Sequence, residues 1–232
     1  MPATPEGLRP AGFWQRYAAW SLDAALLAIP TWLLAHGAVT ASLPAWRRFG
    51  DALTAIFGSA LQAAVAGASP LQASLGMLAD PALPTASRLL HAALWSMLAW
   101  PLAVFVLLAF AWHLGFERSR WRAPPGKRAL RLRVGDAAGG VPRLACSLVR
   151  FWAGGLCWLT LNLGHAMAAL PPAHLALHDR LSGTRVLTDT RALPTWARAW
   201  LWLQLAAFIA ANAWLLRRVE AALQAALDAA LY

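Results

Sequence analysis

The sequence predicts an all-α integral membrane protein, a helical bundle of about four membrane segments with a small β-hairpin or sheet in its cytoplasmic loops. Three observations carry this expectation. Of the 232 residues, 59% are hydrophobic and only 13% charged, with a mean hydropathy of +0.50, a balance foreign to ordinary soluble domains. The stretch Leu89–Phe116 contains no Asp, Glu, Lys or Arg and exceeds the ~20 residues needed to cross a bilayer. Finally, the basic residues lie beside apolar runs, where the positive-inside rule puts them. That placement accounts for the net charge of +10, so the lipid bilayer is the expected partner and nucleic acid is not.

Residues 1–11 read as a disordered tail containing prolines. The first helix spans Phe13–Leu34, with Phe13, Trp14, Tyr17 and Trp20 forming an interfacial belt at one end and Pro30 kinking the other. Its length, and the carboxylate inside it, point to a retained helix and not a cleaved leader. An ionised carboxylate inside hydrocarbon costs several kcal/mol, so Asp23 must be protonated, paired or turned toward protein. Arg16 precedes Asp23 by seven residues, which puts the two on one helix face about 10.5 Å apart along the axis. They cannot touch. Arg16 is therefore expected to snorkel to the headgroups, and Asp23 to find its partner on another segment. Asp23 reads either as a structural group or as part of an ion or proton path.

Residues 36–87 are Ala- and Gly-rich and broken by Pro70, Pro81 and Pro84, which predicts an extramembrane or interfacial helical insertion, with a weak extra span as the alternative. In 89–116, His91 and His113 sit near the ends as interfacial residues. Pro101 bends the helix and frees a carbonyl able to face Asp23. Residues 117–143 carry Arg118, Arg120, Arg122, Lys127, Arg128, Arg131, Arg133 and Arg143 against Glu117 and Asp136, so this loop is cytoplasmic and suited to anionic lipid. Within it Leu130, Leu132 and Val134 alternate with Arg131 and Arg133, a period of two that predicts a strand, with a turn at DAAGG.

Residues 147–170 are apolar but include Arg150, Asn162 and His165. They either cross once or fold back as a re-entrant pair broken at Gly154-Gly155 or Asn162–Gly164. The re-entrant form leaves 15 of the 20 basic residues inside and a crossing leaves 13, which favours re-entry. After Pro171-Pro172, Thr184–Thr188 is β-prone. If TRVLT pairs with RLRV, both loops lie on one side, which again requires re-entry. His174 and His178 stand at i, i+4 beside Asp179, but no third and fourth ligands are apparent, so no metal site is predicted. Cys146 and Cys157, eleven apart, read as two small buried residues. Residues 196–216 form a last span ending at Arg217-Arg218. The remainder has leucines at 223, 227 and 231, an amphipathic stripe lying on the membrane or a partner.

Three motifs in this order, GFWQRYAAWSLDAALL, PPGKRALRLRVGDAAGG and ALHDRLSGTRVL, resemble the RDD family of small multi-pass membrane proteins, named for one arginine and two aspartates. The resemblance implies a membrane domain over 12–188, carrying the insertion at 36–87, with the helix and tail of 189–232 outside it. It further implies a polar core of Arg16, Asp23 and Asp179, supported by Lys127, His178, Arg180 and Arg150, and it brings the suggestion of ion or small-ligand transport. The chain has no HExxH, no GxSxG and no carboxylate dyad within its spans, so neither enzymatic activity nor a cofactor is expected. Two functions remain: transport through Asp23, cramped in four segments unless the protein is a homo-oligomer, or a scaffold or accessory subunit for a membrane-protein partner.

Overall fold

A computed structural model describes residues 7–231, so the expectation for residues 1–6 lies outside the described residues. The chain forms β1 (Arg9–Pro10), α1 (Phe13–Val65), α2 (Pro70–Ala79), α3 (Leu83–Arg118), α4 (Pro125–Ala129), β2 (Leu132–Gly135), α5 (Leu144–Leu159), α6 (Leu163–Ala166) with a 3-10 turn over Met167–Ala169, α7 (Leu177–Ser182), β3 (Arg185–Thr188) and α8 (Thr195–Leu231). Three helices, α1, α3 and α8, are long and apolar enough to cross a membrane, and α5 with the following short helix makes a bent fourth segment. The helices and the small sheet are the predicted fold class. They fall into two compact units, residues 7–31 with 105–203 and residues 32–104 with 204–231.

The first unit is built on a three-stranded antiparallel sheet in the order β1-β3-β2. Leu132 pairs with Thr188 and Val134 with Val186, the predicted pairing of RLRV with TRVLT. The alternation of apolar and basic residues puts Leu132 and Val134 in the core and leaves Arg133 in solvent. No return strand follows DAAGG. β2 finds its partner in β3, and β1 covers the opposite edge with Arg9 opposite Thr188. The disorder expected of residues 1–11 therefore does not reach Arg9–Ala11, whose backbone is held by β3, with Ala11 N–H donating to Val186 at 3.0 Å. Ala11, Ala18, Ala19, Leu130, Leu132, Val186 and Ala197 form the core under the sheet. Alanines on α1 and α8 let backbone approach backbone, as small residues do in membrane bundles.

The sheet joins the start of α1, the segment after α3 and the residues leading into α8. The stretch between β2 and β3 thus leaves one sheet and returns to it, and its apolar part is bent, as a broken span or a re-entrant loop would be. Its break is a 116° bend between α5 and the helix after it. Leu161 and Asn162 there take positive φ of 50° and 64°, at one of the two places expected.

In the second unit, the expectation that the first helix ends near Leu34 is corrected. α1 continues without interruption to Val65, so most of the supposed insertion is an extension of that helix. Pro30 and Pro44 do not end it, because a helix in apolar surroundings keeps its remaining hydrogen bonds. The small groups Ala35, Ser42, Ala86 and Ala93 are buried here, and Ser59 donates to Asp80 at 3.1 Å. α2 opens with a capping box from Ser69 and Gln72 and buries none of its residues.

Leu187 on the central strand is fully buried. Truncation to alanine is expected to lower stability by ~2–5 kcal/mol, read as a large drop in the thermal midpoint of the detergent-solubilised protein; an unchanged midpoint would mean that the sheet does not organise the unit.

Candidate functional site

Asp179 lies on the first turn of α7 with a fully buried side chain. Its carboxylate reaches back to accept the Ala176 N–H at 3.0 Å, capping the helix that carries it. The same helix ends at Gly183, in the left-handed conformation at φ 65°, where a side chain would strain the backbone. This short helix aims Asp179 inward, where it binds two guanidinium groups. Arg16 from α1 donates through Nη1 to Oδ2, and Arg150 from α5 donates through Nη1 to Oδ1. Arg16 also donates to the carbonyls of His174 at 2.6 Å and Ala11 at 2.9 Å. It does not snorkel to the headgroups as expected, because a carboxylate and two carbonyls use its donors inside the protein.

Arg150 extends the chain of charges. It donates to Thr184 Oγ1 at 2.9 Å, which fixes the strand entrance after Gly183, and its Nε lies 3.7 Å from Glu117 Oε1. Glu117 in turn accepts from Lys127 Nζ at 2.6 Å. Lys127 belongs to α4, whose N-terminal end is held by Asp23. Asp23 is fully buried, and its Oδ1 accepts from Gly126 N–H at 2.8 Å and from Trp112 Nε1 at 3.2 Å. The predicted need for a partner from another segment is met by Trp112 on α3 and by the loop, not by a carbonyl freed at Pro101. Two N–H donors can serve a carboxylate oxygen, and a carbonyl cannot. Asp23 Oδ2 has no hydrogen-bond partner among the described residues. Gly126 is glycine of necessity, since a Cβ there would stand 2.9 Å from the Asp23 carboxylate and overlap the Ala19 carbonyl.

Three cations, Arg16, Arg150 and Lys127, thus face three carboxylates, Asp23, Glu117 and Asp179. Buried charges persist only in such balance, and removing one member of a buried pair costs about 3–5 kcal/mol because it strands the other. Burial by itself would raise the Asp179 carboxyl, but Arg150 and Arg16 outweigh it and hold the group well below the usual carboxylate range. Burial and, after it, the nearby Arg150 push the His178 imidazole well below its ordinary value, so it is neutral at pH 7.

Of the site residues read from the sequence, Arg16, Asp179, Arg150 and Lys127 share this network, Asp23 joins it through Gly126, and His178 lies against it with Nε2 3.5 Å from Asp179. Arg180 is exposed on α7 and makes no contact with the cluster among the described residues. Sequence reasoning missed Glu117, counted as a loop charge although it closes α3, and Trp112 and Thr184. The one available signal was that Glu117 is the first charge after the long apolar run.

The fold and this core define a multi-pass membrane protein in which a short arginine–aspartate network knits helix ends to a sheet and a basic loop. The chain belongs to the RDD family, whose model matches residues 10–183. Neither the curated proteins nor the solved structures contain a match to it.

Gly126→Ala is expected to lower stability by ~1–3 kcal/mol through overpacking against Asp23, whereas Gly154→Ala, with open space around its Cβ, should be neutral or gain up to ~1 kcal/mol; equal midpoints for the two variants would refute the close approach. The pH dependence has two onsets. His178 takes up a proton in the unfolded chain below its ordinary value of 6.5 but stays neutral when folded, so stability falls as pH drops below that point. Asp179 protonates in the unfolded chain near 3.8 but remains ionised when folded, so a second loss starts there. Each contributes up to ~1.4 kcal/mol per pH unit, and thermal midpoints measured between pH 8 and pH 3 check both.

Proposed function

We propose that this protein is a non-catalytic membrane scaffold or accessory subunit, whose buried charges fix a basic surface at the cytoplasmic face of the cell membrane. The observation that carries this reading is the extent to which the network is consumed internally: five of its six charged groups pair with one another, and the sixth, Asp23, is tied up in holding a loop. Positive-inside bias supports a cytoplasmic N-terminus and a cytoplasmic loop over 117–143. The anchored loop opens a groove of about 770 Å³ in which Arg120, Arg122, Arg128, Arg131 and Arg133 outnumber one acid, Asp189, itself 3.9 Å from Arg131, with the Arg128 guanidinium 4.3 Å from the Trp121 ring centre. Basic residues at that height attract anionic lipid with ~1 kcal/mol each. A homo-oligomer or a membrane-protein partner would dock on the lipid-facing helices.

Ion or small-ligand transport is the second reading, supported by the buried Oδ2 of Asp23, which has no hydrogen-bond partner among the described residues. Such an oxygen suits a proton or a cation.

Anionic lipid added to the detergent-solubilised protein should raise its thermal midpoint, zwitterionic lipid should not, and Arg128→Gln/Arg131→Gln should abolish the rise. A rise of equal size in the double variant would overturn the groove's role. In proteoliposomes the scaffold reading expects Asp23→Asn to leave cation and proton flux at the wild-type level; a wild-type flux that the variant loses would install the transport reading in its place.

A further inference from the structure

The 116° bend after α5 has a chemical result separate from the ion network. It carries His165 back against α7, so that Cys157, His165 and His178 each place a donor atom within 4.8 Å of the other two. The imidazoles of His165 and His178 lie 5.1 Å apart between ring centres, and Cys157 on α5 is fully buried. Gly164 makes room for the sulfur, since a Cβ there would sit 2.5 Å from Sγ. None of the three residues serves the Arg16, Asp179 and Glu117 network as a charged member.

Two further observations point to a ligand. The Nδ1 atoms of His165 and of His178 are both buried without a hydrogen-bond partner among the described residues. Leaving such an atom unsatisfied costs about 1–3 kcal/mol, and two beside one buried thiol are hard to explain by packing. The other nitrogen of His178, Nε2, faces Asp179 Oδ1 at 3.5 Å. A carboxylate behind one ring nitrogen, with the other left bare, is the arrangement that orients and strengthens a metal-binding histidine. Burial holds the Cys157 sulfur as a thiol, which donates to the Ala153 carbonyl at 3.2 Å, so the ion itself must displace its proton.

We propose that Cys157, His165 and His178 form a binding site for a borderline-soft transition-metal ion of the Zn(II) class, with Nδ1 of each histidine and the Cys157 sulfur as ligands. A mixed thiolate and imidazole set selects such ions over Mg²⁺ and Ca²⁺, which take oxygen donors. Ligand bonds of ~2.3 Å to sulfur and ~2.1 Å to nitrogen put tetrahedral donors roughly 3.5 Å apart, so the side chains close by about 1 Å on binding. Binding displaces the thiol proton of Cys157 to solvent. Three protein ligands leave one coordination position open, as in sites that exchange or activate a bound group and unlike closed structural ones. The ion would pin α5, the bent turn after it and α7 together at the point where the chain reverses.

The full-length protein in detergent, stripped by chelator and titrated with Zn²⁺ and with Co²⁺, tests this. The expected result is one ion per chain and a thiolate-to-cobalt charge-transfer absorption. Cys157→Ser should remove that absorption and weaken Zn²⁺ binding by at least the ~10–100-fold that loss of an outer-shell partner costs. His165→Gln, at a half-buried position and so mild for folding, should weaken Zn²⁺ binding equally, while Cys146→Ser should change neither. Sub-stoichiometric binding to the wild type would overturn the proposal. So would a charge-transfer band that survives in Cys157→Ser, or Zn²⁺ affinity untouched in a monodisperse His165→Gln protein.

Discussion

One carboxylate holding two guanidinium groups is the constraint on which the first unit depends. Asp179 is buried on a six-residue helix that could not stand in isolation, since short helices are marginal without tertiary support. Arg16 and Arg150 supply that support. In doing so they bind the start of α1 to α5, and α5 to the segment that enters β3. The desolvation of three buried ions is offset only because every polar atom of the carboxylate is used and because Glu117 balances the second face of Arg150.

Asp23 plays a different part. It lies two turns below Arg16 in sequence, yet the two belong to separate attachments, one to α7 and one to the loop after α3. Asp23 acts on backbone, accepting the amide of a glycine that tolerates no side chain. That explains why the Gly-Lys pair follows two prolines: Pro124 and Pro125 set the turn, Gly126 reaches the carboxylate, and Lys127 turns back to Glu117.

Much of this was legible in the sequence where a residue conflicted with its surroundings. A lone aspartate in an apolar run announces a partner elsewhere, and basic residues alternating with Leu132 and Val134 announce a strand. The pairing of RLRV with TRVLT and a break at Asn162 were both readable from residue types and turn signals. What stayed hidden was set by distance in space. The sequence predicts a first helix that ends near Leu34 with a kink at Pro30, but α1 runs on to Val65, because the Ala- and Gly-rich stretch that follows carries no local stop signal before Gly67. Glu117 resembled a solvated loop charge, since no local pattern separates a charge that ends a helix from one that pairs inside it. Cys157, His165 and His178 are spaced by eight and thirteen residues, which match no ligand motif; only the bend at Leu161 and Asn162 unites them.

The middle strand of the sheet is the last of the three to be synthesised. β1 opens the chain and β2 follows α3, but neither touches the other, and both hydrogen-bond only to β3. A nascent chain must therefore complete α1, α3 and the bent α5 segment before this sheet can close. Until Thr188 leaves the ribosome, both outer strands keep bare amide and carbonyl edges, which makes the closing residues of the domain, and not its first helix, the step that commits a newly made molecule to its mature form.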